Sequence, residues 1–265
     1  MRLRILHTTE YRFDDPVRYG LQQLRKTPKN TRAQTVLRWV TDIDGGQREL
    51  NFDDFHRNRV ELISFAPGTR SLLIRSEGEV ELSDVSGVLG AHEGAAPLWL
   101  FLRQTVRTKP GSGVRALLRQ VPEAPILDRL HALSAAVAQT VRYEIGASAP
   151  DWTAEQALDA GAGVCQDHAH VFLSAARALG VPARYVSGYL LMDDRVTQDA
   201  THAWVEAHVD GLGWVGFDVS NGISPDERYV RVATGLDYGE AAPVTGSRIG
   251  GAAEELSVQV EVAQQ

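Results

Sequence analysis

The chain has 265 residues, which is enough for one large domain or two smaller ones. Hydrophobic residues make up 43% and charged residues 23%, a globular composition that excludes a disordered chain, and a single cysteine excludes an internal disulfide framework. The formal net charge of −7 argues against binding to nucleic acid or to an anionic membrane, so neither partner is expected.

The amino-terminal residues carry charge but lack the apolar stretch of a secretory signal. The longest apolar patch, PLWLFL at residues 97–102, is far too short to span a bilayer. We therefore expect a cytoplasmic protein, in which reducing conditions keep the one thiol free.

Residues 1 to about 85 alternate short strand-like runs with turn signals. The predicted strands cover residues 8–13, 35–40, 59–65, 71–75 and 78–82. This spacing indicates an antiparallel sheet or a small sandwich. Gly and Pro cluster between residues 109 and 125, which predicts a connection. We place a domain boundary near residue 105, so that a β-rich domain covers residues 1–105 and a second domain covers residues 106–265.

Helical periodicity begins after Pro125. Apolar residues recur at helical spacing from residue 126 to 137, residues 141–145 alternate as a strand does, and a short helix opens near residue 153. Thr153 and Gln156 have the spacing of a capping box at the start of that helix.

The single cysteine, Cys165, begins another helical pattern, which Gly180 and Pro182 end. A helix amino terminus favours the thiolate form of a cysteine, and Gly163 leaves room for a substrate carbonyl beside it. The alternative for a lone cysteine is a small buried hydrophobic residue without chemistry. A neighbouring base is needed to decide between the two.

Residues 202–209 alternate with period two and predict a strand, which a turn near Gly211 joins to a returning strand at residues 214–218. This register sets Trp204 opposite Asp218, with His202 one diagonal step away and within reach of a hydrogen bond to Asp218. The second imidazole nitrogen is then free to act on a thiol. The alternative is a surface hairpin with solvated polar side chains.

Several literal motifs add to this pattern. They are GAGVCQDHAH at 161–170, ALGVPARYVSGY at 178–189, THAWVE at 201–206 and GWVGFDVSNG at 213–222. Together they resemble the bacterial transglutaminase-like superfamily, which has a papain-like core. HTTEYRFDDPV at 7–17 resembles the β-rich region that precedes this core in one bacterial branch, and residues 235–246 resemble its carboxy-terminal segment.

The resemblance implies an α+β fold: an N-terminal antiparallel β region, then a papain-like core with the nucleophile helix packed on an antiparallel sheet and a C-terminal strand segment. It also implies a catalytic triad of Cys165 as nucleophile, His202 as base and Asp218 as the residue that orients the histidine. The family commonly has Asp-Pro-Thr where this chain has Asp218-Val219-Ser220. We expect the triad to be kept and the loop after it to differ.

The implied activity is cysteine-dependent acyl transfer on peptide or glutamine-type amides through a thioester. Water as acceptor makes the enzyme a cysteine protease or amidase, whereas an amine makes it a true transglutaminase, and no sequence feature decides between them. A third alternative, of another class, is a catalytically silent peptide-binding module. The expected partner is a peptide or protein substrate, and no feature predicts an oligomeric state.

Three residues are predicted to bind substrate: Gly163, Gln166 and Trp204. The backbone N–H of Cys165 is the natural first donor to an oxyanion. Gln166, Tyr143 and Trp152 are candidates for the second donor.

Metal binding is the remaining alternative. The residues considered as zinc ligands are Cys165, His168, His170, His202 and His208, and their spacing does not match the paired spacings of structural zinc sites. The acidic pairs at 193–194 and 226–227 lack a calcium loop. We expect no metal and no cofactor.

Overall fold

The computed structural model describes residues 1–251 and 253–265. Its first part consists of strands, and along the longest of them buried and less buried side chains alternate. These strands are β1 (Arg2–Phe13), β2 (Val17–Thr27), β3 (Gln34–Asp44), β4 (Gly46–Asp53), β5 (Arg59–Phe65), β6 (Ser71–Leu82) and β7 (Val88–Gly90).

The second part mixes helices with strands. Its helices are a 3₁₀ helix (Leu98–Leu102), α1 (Ser112–Leu118), α2 (Ile126–Thr140), α3 (Ala154–Ala160), α4 (Cys165–Ala178) and α5 (Tyr238–Ala241). Its strands are β8 (Arg142–Tyr143), β9 (Ala162–Gly163), β10 (Ala183–Leu190), β11 (Thr197–Gln198), β12 (His202–Val209), β13 (Gly213–Phe217), β14 (Tyr229–Gly235), β15 (Val244–Gly250) and β16 (Glu254–Gln264).

Two antiparallel sheets form a sandwich from the ends of the chain. One sheet has the strand order β11-β16-β1-β6-β3, and the other has the order β15-β2-β5-β4. Their inward side chains share one apolar cluster, in which Tyr11 and Ile74 of the first sheet meet Leu24 and Ile63 of the second. Burial of these alternating residues is what holds the sandwich together.

A third sheet, β14-β10-β12-β13-β7, forms the centre of the second part. Alternate residues of β12, among them Ala203, Val205 and Ala207, join one large apolar cluster with Phe172 and Leu173 of α4. Helix α4 therefore packs on this antiparallel sheet. The predicted α+β architecture, a β region followed by a helix on a sheet, is confirmed.

Some predicted elements differ from those observed. The runs 71–75 and 78–82 form one strand, and Gly78 within it lies where a Cβ atom would stand 2.3 Å from the Arg38 carbonyl oxygen and against Trp39. This glycine permits close packing rather than a turn. The predicted strand at 141–145 is reduced to the two residues of β8, and the predicted connection near residue 110 contains helix α1.

Strand pairing crosses the predicted boundary near residue 105 in both directions. Strand β7 pairs with β13 of the third sheet, and β15 and β16 pair with β2 and β1. The division into residues 1–105 and 106–265 stays a prediction. None of the helices in the described part of the chain has the length and apolar character needed to cross a membrane.

Candidate active site

Cys165 is the first residue of α4 and is partly buried. Val164 before it is extended, and the Asp167 carboxylate accepts a hydrogen bond from the Val164 N–H at 2.8 Å. The helix ends where Gly180, with φ of +79°, lets the Val181 N–H donate to the Ala176 carbonyl. Local sequence therefore sets both ends of the helix and places the thiol at its positive end.

The hairpin of β12 and β13 brings His202 and Asp218 together. Val205 pairs with Phe217, so continuation of the register sets Trp204 opposite Asp218, as the alternation predicts. His202 Nε2 lies 2.6 Å from Asp218 Oδ2. Both side chains are buried, which excludes the alternative of a solvated surface hairpin.

Two residues missed by the sequence analysis hold the Asp218 carboxylate. Asn221 Nδ2 and the Tyr229 hydroxyl each donate to Asp218 Oδ2 at 2.7 Å. Burial raises the pKa of Asp218, but the hydrogen bonds from His202, Asn221 and Tyr229 outweigh it and lower the pKa below its usual value. The position of Asn221, three residues after Asp218, is a local signal for such a contact, whereas Tyr229 reaches the site from β14.

Cys165 lies within interaction range of the same imidazole. Because Nε2 is engaged with Asp218, Nδ1 is the nitrogen left for the thiol. Burial lowers the pKa of His202, but Asp218 and Cys165 outweigh it and raise the pKa to about 10. The imidazole is therefore held in a form that can pair with a thiolate and donate a proton.

Tyr143 and Tyr238 also lie in the electrostatic field of Cys165. Burial raises the pKa of the Tyr143 phenol, and the charges of Cys165 and Asp218 raise it further. Tyr143 is 49% exposed and belongs to β8, which pairs with the Ala162–Gly163 strand just before the cysteine. Burial and the charge of Cys165 also raise the pKa of Tyr238, against the lowering effect of Arg107, so both phenols are neutral donors.

The three residues predicted to bind substrate differ in their burial and in their contacts. Gly163 is buried, and a Cβ atom there would lie 2.7 Å from that of Asp167. Gln166 donates from Nε2 to the Pro150 carbonyl at 3.0 Å. Trp204 is 3% exposed and its ring stacks near His202, with 6.2 Å between centroids. Their contact with a substrate stays a prediction.

The other histidines considered as zinc ligands make separate contacts. His168 Nε2 donates to the Val141 carbonyl at 2.7 Å, and its Nδ1 lies 2.9 Å from Ser220 Oγ, the serine of the divergent Asp218-Val219-Ser220 loop. His170 Nε2 accepts from the Tyr238 N–H at 3.2 Å. Across residues 1–251 and 253–265, no group of three His, Cys, Asp or Glu side chains is arranged to hold a metal ion.

Two family models match separate parts of this chain. Residues 115–219 match the family model of the transglutaminase-like superfamily, and residues 3–81 match that of the bacterial transglutaminase-like N-terminal region. An uncharacterized protein of Mycobacterium leprae is 27% identical over 98% of both chains. An uncharacterized protein of Mycobacterium tuberculosis is 29% identical, over 92% of this chain and 87% of that one.

A solved structure supports the same fold. A candidate cysteine protease from Cytophaga hutchinsonii superposes with a TM-score of 0.81 at 20% identity, over 99% of this chain and 90% of that one. The fold expected from the motifs is thus found over nearly the whole chain. The chain thus combines a core that matches the transglutaminase-like superfamily, over residues 115–219, with the bacterial transglutaminase-like N-terminal region, over residues 3–81.

Proposed function

We propose that this protein is a cysteine-dependent enzyme that transfers acyl groups from peptide or glutamine-type amides through a thioester. The observation that carries the proposal is the grouping of Cys165 at the start of α4 with His202, whose other nitrogen is bound to the buried Asp218. This is the arrangement in which an imidazole activates a thiol and is itself oriented by a carboxylate.

In the proposed reaction the Cys165 thiolate attacks the amide carbonyl and forms a C–S bond. Protonated His202 gives its proton to the departing amine or ammonia as the C–N bond breaks, and Asp218 keeps the imidazole in position. Water or an amine then attacks the thioester, returns its proton to His202 and releases Cys165. Water yields a peptidase or amidase reaction, and an amine yields a transglutaminase reaction.

The oxyanion formed by the attack needs two donors. The Cys165 N–H lies in the first turn of α4, where backbone N–H groups have no acceptor within the helix. We assign the second donor to the Tyr143 hydroxyl, because Tyr143 is partly exposed near Cys165, whereas the Gln166 amide is engaged with Pro150. Tyr143→Phe should lower kcat by about tenfold or more with little change in KM, as expected for a donor that acts in the transition state.

The substrate is a peptide or protein, and Gly163, Gln166 and Trp204 are the residues we propose to contact it. The reaction requires no cofactor or metal, because the three side chains supply nucleophile, base and orientation. We place it in the cytoplasm, where the thiol stays reduced.

Trapping of the acyl-enzyme tests the proposal. The protein is incubated with a library of peptides and glutamine amides, with and without a primary amine, and intact mass is measured. Since the sequence contains one cysteine, a thioester adduct can form only at Cys165. Adducts should appear in the wild type, disappear in Cys165→Ala and turn over faster with the favoured acceptor. Peptide binding without any adduct would identify a silent binding module.

A further inference from the structure

A cavity of about 300 Å³, separate from the cysteine site, lies between the N-terminal sandwich and the third sheet. On the side of the third sheet its wall includes Arg184 of β10, Trp214 of β13 and Arg231 of β14. Glu206 lies below it, four residues beyond His202 along the same strand, which is about 13 Å at the usual rise of an extended chain. This volume is sufficient for a small molecule.

The wall of this cavity carries an excess of positive charge. The arginines that line it are Arg32, Arg57, Arg59, Arg184 and Arg231. Three carboxylates oppose them: Asp53 beside Arg59 at 3.5 Å, Glu93 beside Arg57 at 3.9 Å, and Glu206, which two arginines share. The excess is local, since the whole chain has a net charge of −7.

The two innermost arginines are fixed in place. Arg184 Nε donates to Glu206 at 2.5 Å, and its guanidinium lies 3.8 Å from the centre of the Trp214 ring. Arg231 donates to the same carboxylate at 2.7 and 3.1 Å. Their side chains are only 12% and 10% exposed. Two buried guanidinium groups thus share one carboxylate. Because their side chains are already held in one orientation, a ligand would bind them with little further loss of side-chain entropy.

Donors remain free on these guanidinium groups. Within the part of the chain that the structure describes, both Nη groups of Arg184 lack a hydrogen-bond acceptor, and so does Nη1 of Arg231. These nitrogens are also not enclosed away from solvent. Guanidinium forks of this kind match the geometry of carboxylate and phosphate groups.

The pKa of Lys29 shows that the positively charged groups at this cavity repel one another. Lys29 lines the same cavity, and its ammonium group donates to Asn58 Oδ1 at 2.8 Å. Burial lowers the pKa of Lys29, and the charges of Arg231 and Arg184 lower it further. An anion placed here would relieve that repulsion.

We propose that this cavity binds a small anionic ligand through its carboxylate or phosphate groups. Arg184 and Arg231 hold the anion at the base of the cavity, while Arg32 and Arg57 close on it from the N-terminal sandwich. The ligand thereby contacts both parts of the fold. The site is independent of Cys165, so its test needs no catalytic activity.

Isothermal titration with two probes, pyrophosphate and the tricarboxylate tricarballylate, tests the site at constant ionic strength. The test variant is Arg32→Gln/Arg57→Asn. Arg32 is exposed, and Arg57 has φ of +61°, a conformation that asparagine tolerates, so the fold should be kept. The matched control is Arg18→Gln/Arg119→Gln, which removes the same charge from exposed positions elsewhere.

Saturable binding of one probe per chain is expected, weakened at least tenfold in the test variant and less than twofold in the control. Binding of pyrophosphate alone identifies a phosphate ligand, and binding of tricarballylate alone identifies a carboxylate ligand. Failure of both probes to saturate would overturn the proposal. Equal weakening in the two double variants would also overturn it, since it would show a response to net charge only.

Discussion

Asp218 is the residue on which the candidate site is built. One of its oxygens, Oδ2, accepts hydrogen bonds from His202, Asn221 and Tyr229, and the side chain is fully buried. Three donors on one oxygen both keep the carboxylate charged and fix its direction. The direction of the His202 imidazole therefore depends on residues that do not touch the thiol.

Removal of the Tyr229 hydroxyl tests this dependence. Tyr229→Phe loses one charge-assisted hydrogen bond to Asp218 and keeps the ring that packs on Trp204. We expect kcat to fall about tenfold with KM unchanged, because Tyr229 holds Asp218 and is not among the residues proposed to contact the substrate. The control is Tyr19→Phe, which alters a phenol on exposed β2. A change in KM alone would contradict the positioning role.

The raised pKa of His202 predicts how thiol reactivity depends on pH. At pH 6 the imidazole of the folded protein is protonated, and we expect a cation beside a cysteine to increase its reactivity. Alkylation by iodoacetamide at pH 6 should therefore be at least tenfold slower in His202→Gln than in the wild type. Mass spectrometry measures this directly, since each chain has one thiol. Equal rates at pH 6 would show that His202 does not activate Cys165.

The same shift predicts a pH dependence of stability. The pKa of His202 is raised from 6.5 to about 10 by folding, so its contribution is fully present below pH 6.5 and is lost as the pH rises through about 10. Denaturant titrations should show that the free energy of unfolding falls between pH 7 and pH 10 in the wild type. In His202→Gln the fall should be smaller, and a parallel fall in both proteins would refute the assignment.

At the scale of elements, the sequence predicted those helix ends and strand registers that depend on residues close together in the chain. The start of α4 at Cys165, its end near Gly180, the Thr153–Gln156 capping box and the register of β12 on β13 are all observed. Each depends on periodicity, capping or turn residues close in sequence. The grouping of Cys165, His202 and Asp218 follows largely from these elements.

Contacts between distant segments could not be predicted in this way. Strands β2 and β4 were missed, because their solvent-facing residues are polar and their partners lie far along the chain. The alternation in β12 set Glu206 on the same face as His202, but it could not show that Arg184 and Arg231 cover Glu206 there. Tyr229 was missed for the same reason, since its contact with Asp218 depends on how β14 is placed beside β10.

The start of helix α1 depends on a carboxylate from another helix. Glu155 of α3 accepts hydrogen bonds from the backbone N–H groups of Gly111, Gly113 and Val114 at 2.7 to 2.9 Å. A carboxylate at a helix amino terminus satisfies unpaired donors and complements the helix dipole. It thereby joins α1 to α3, next to the helix that carries Cys165.

Glu155→Ala should therefore destabilise the fold by about 1–3 kcal/mol, the cost of leaving such donors unsatisfied. Chemical denaturation measures the change. The matched control is Glu123→Ala, whose carboxylate is 83% exposed and pairs with one arginine on the surface, and we expect a change below about 0.5 kcal/mol there. Similar losses in both variants would contradict a capping role for Glu155.

At the scale of the whole molecule, side-chain amides of the sandwich take the place of a neighbouring strand. Strand β14 is an edge of the third sheet. Gln34 exchanges two hydrogen bonds of 2.8 Å with the backbone of Arg231, and Asn58 exchanges bonds of 2.7 and 2.8 Å with that of Thr234. The edge of the sheet that carries the candidate site is thus completed by the N-terminal sandwich.

This arrangement predicts that the second part of the chain does not fold alone. A fragment of residues 106–265 would keep the triad but lose β7, the amides of Gln34 and Asn58, and the partners of β15 and β16. Its unpaired strand edges would favour aggregation. We expect no cooperative thermal transition and no Cys165 alkylation at pH 6 above that of a denatured control.

Co-expression with residues 1–105 should restore both properties in a one-to-one complex, because β16 can pair with β1 along their full length without a covalent link. Gel filtration and calorimetry measure the complex. Two further variants refine the outcome: Gln34→Ala and Asn58→Ala should each weaken association by removing the pair of bonds to β14. Cooperative unfolding of the 106–265 fragment by itself would contradict the prediction, because it would show that the third sheet is stable without the sandwich.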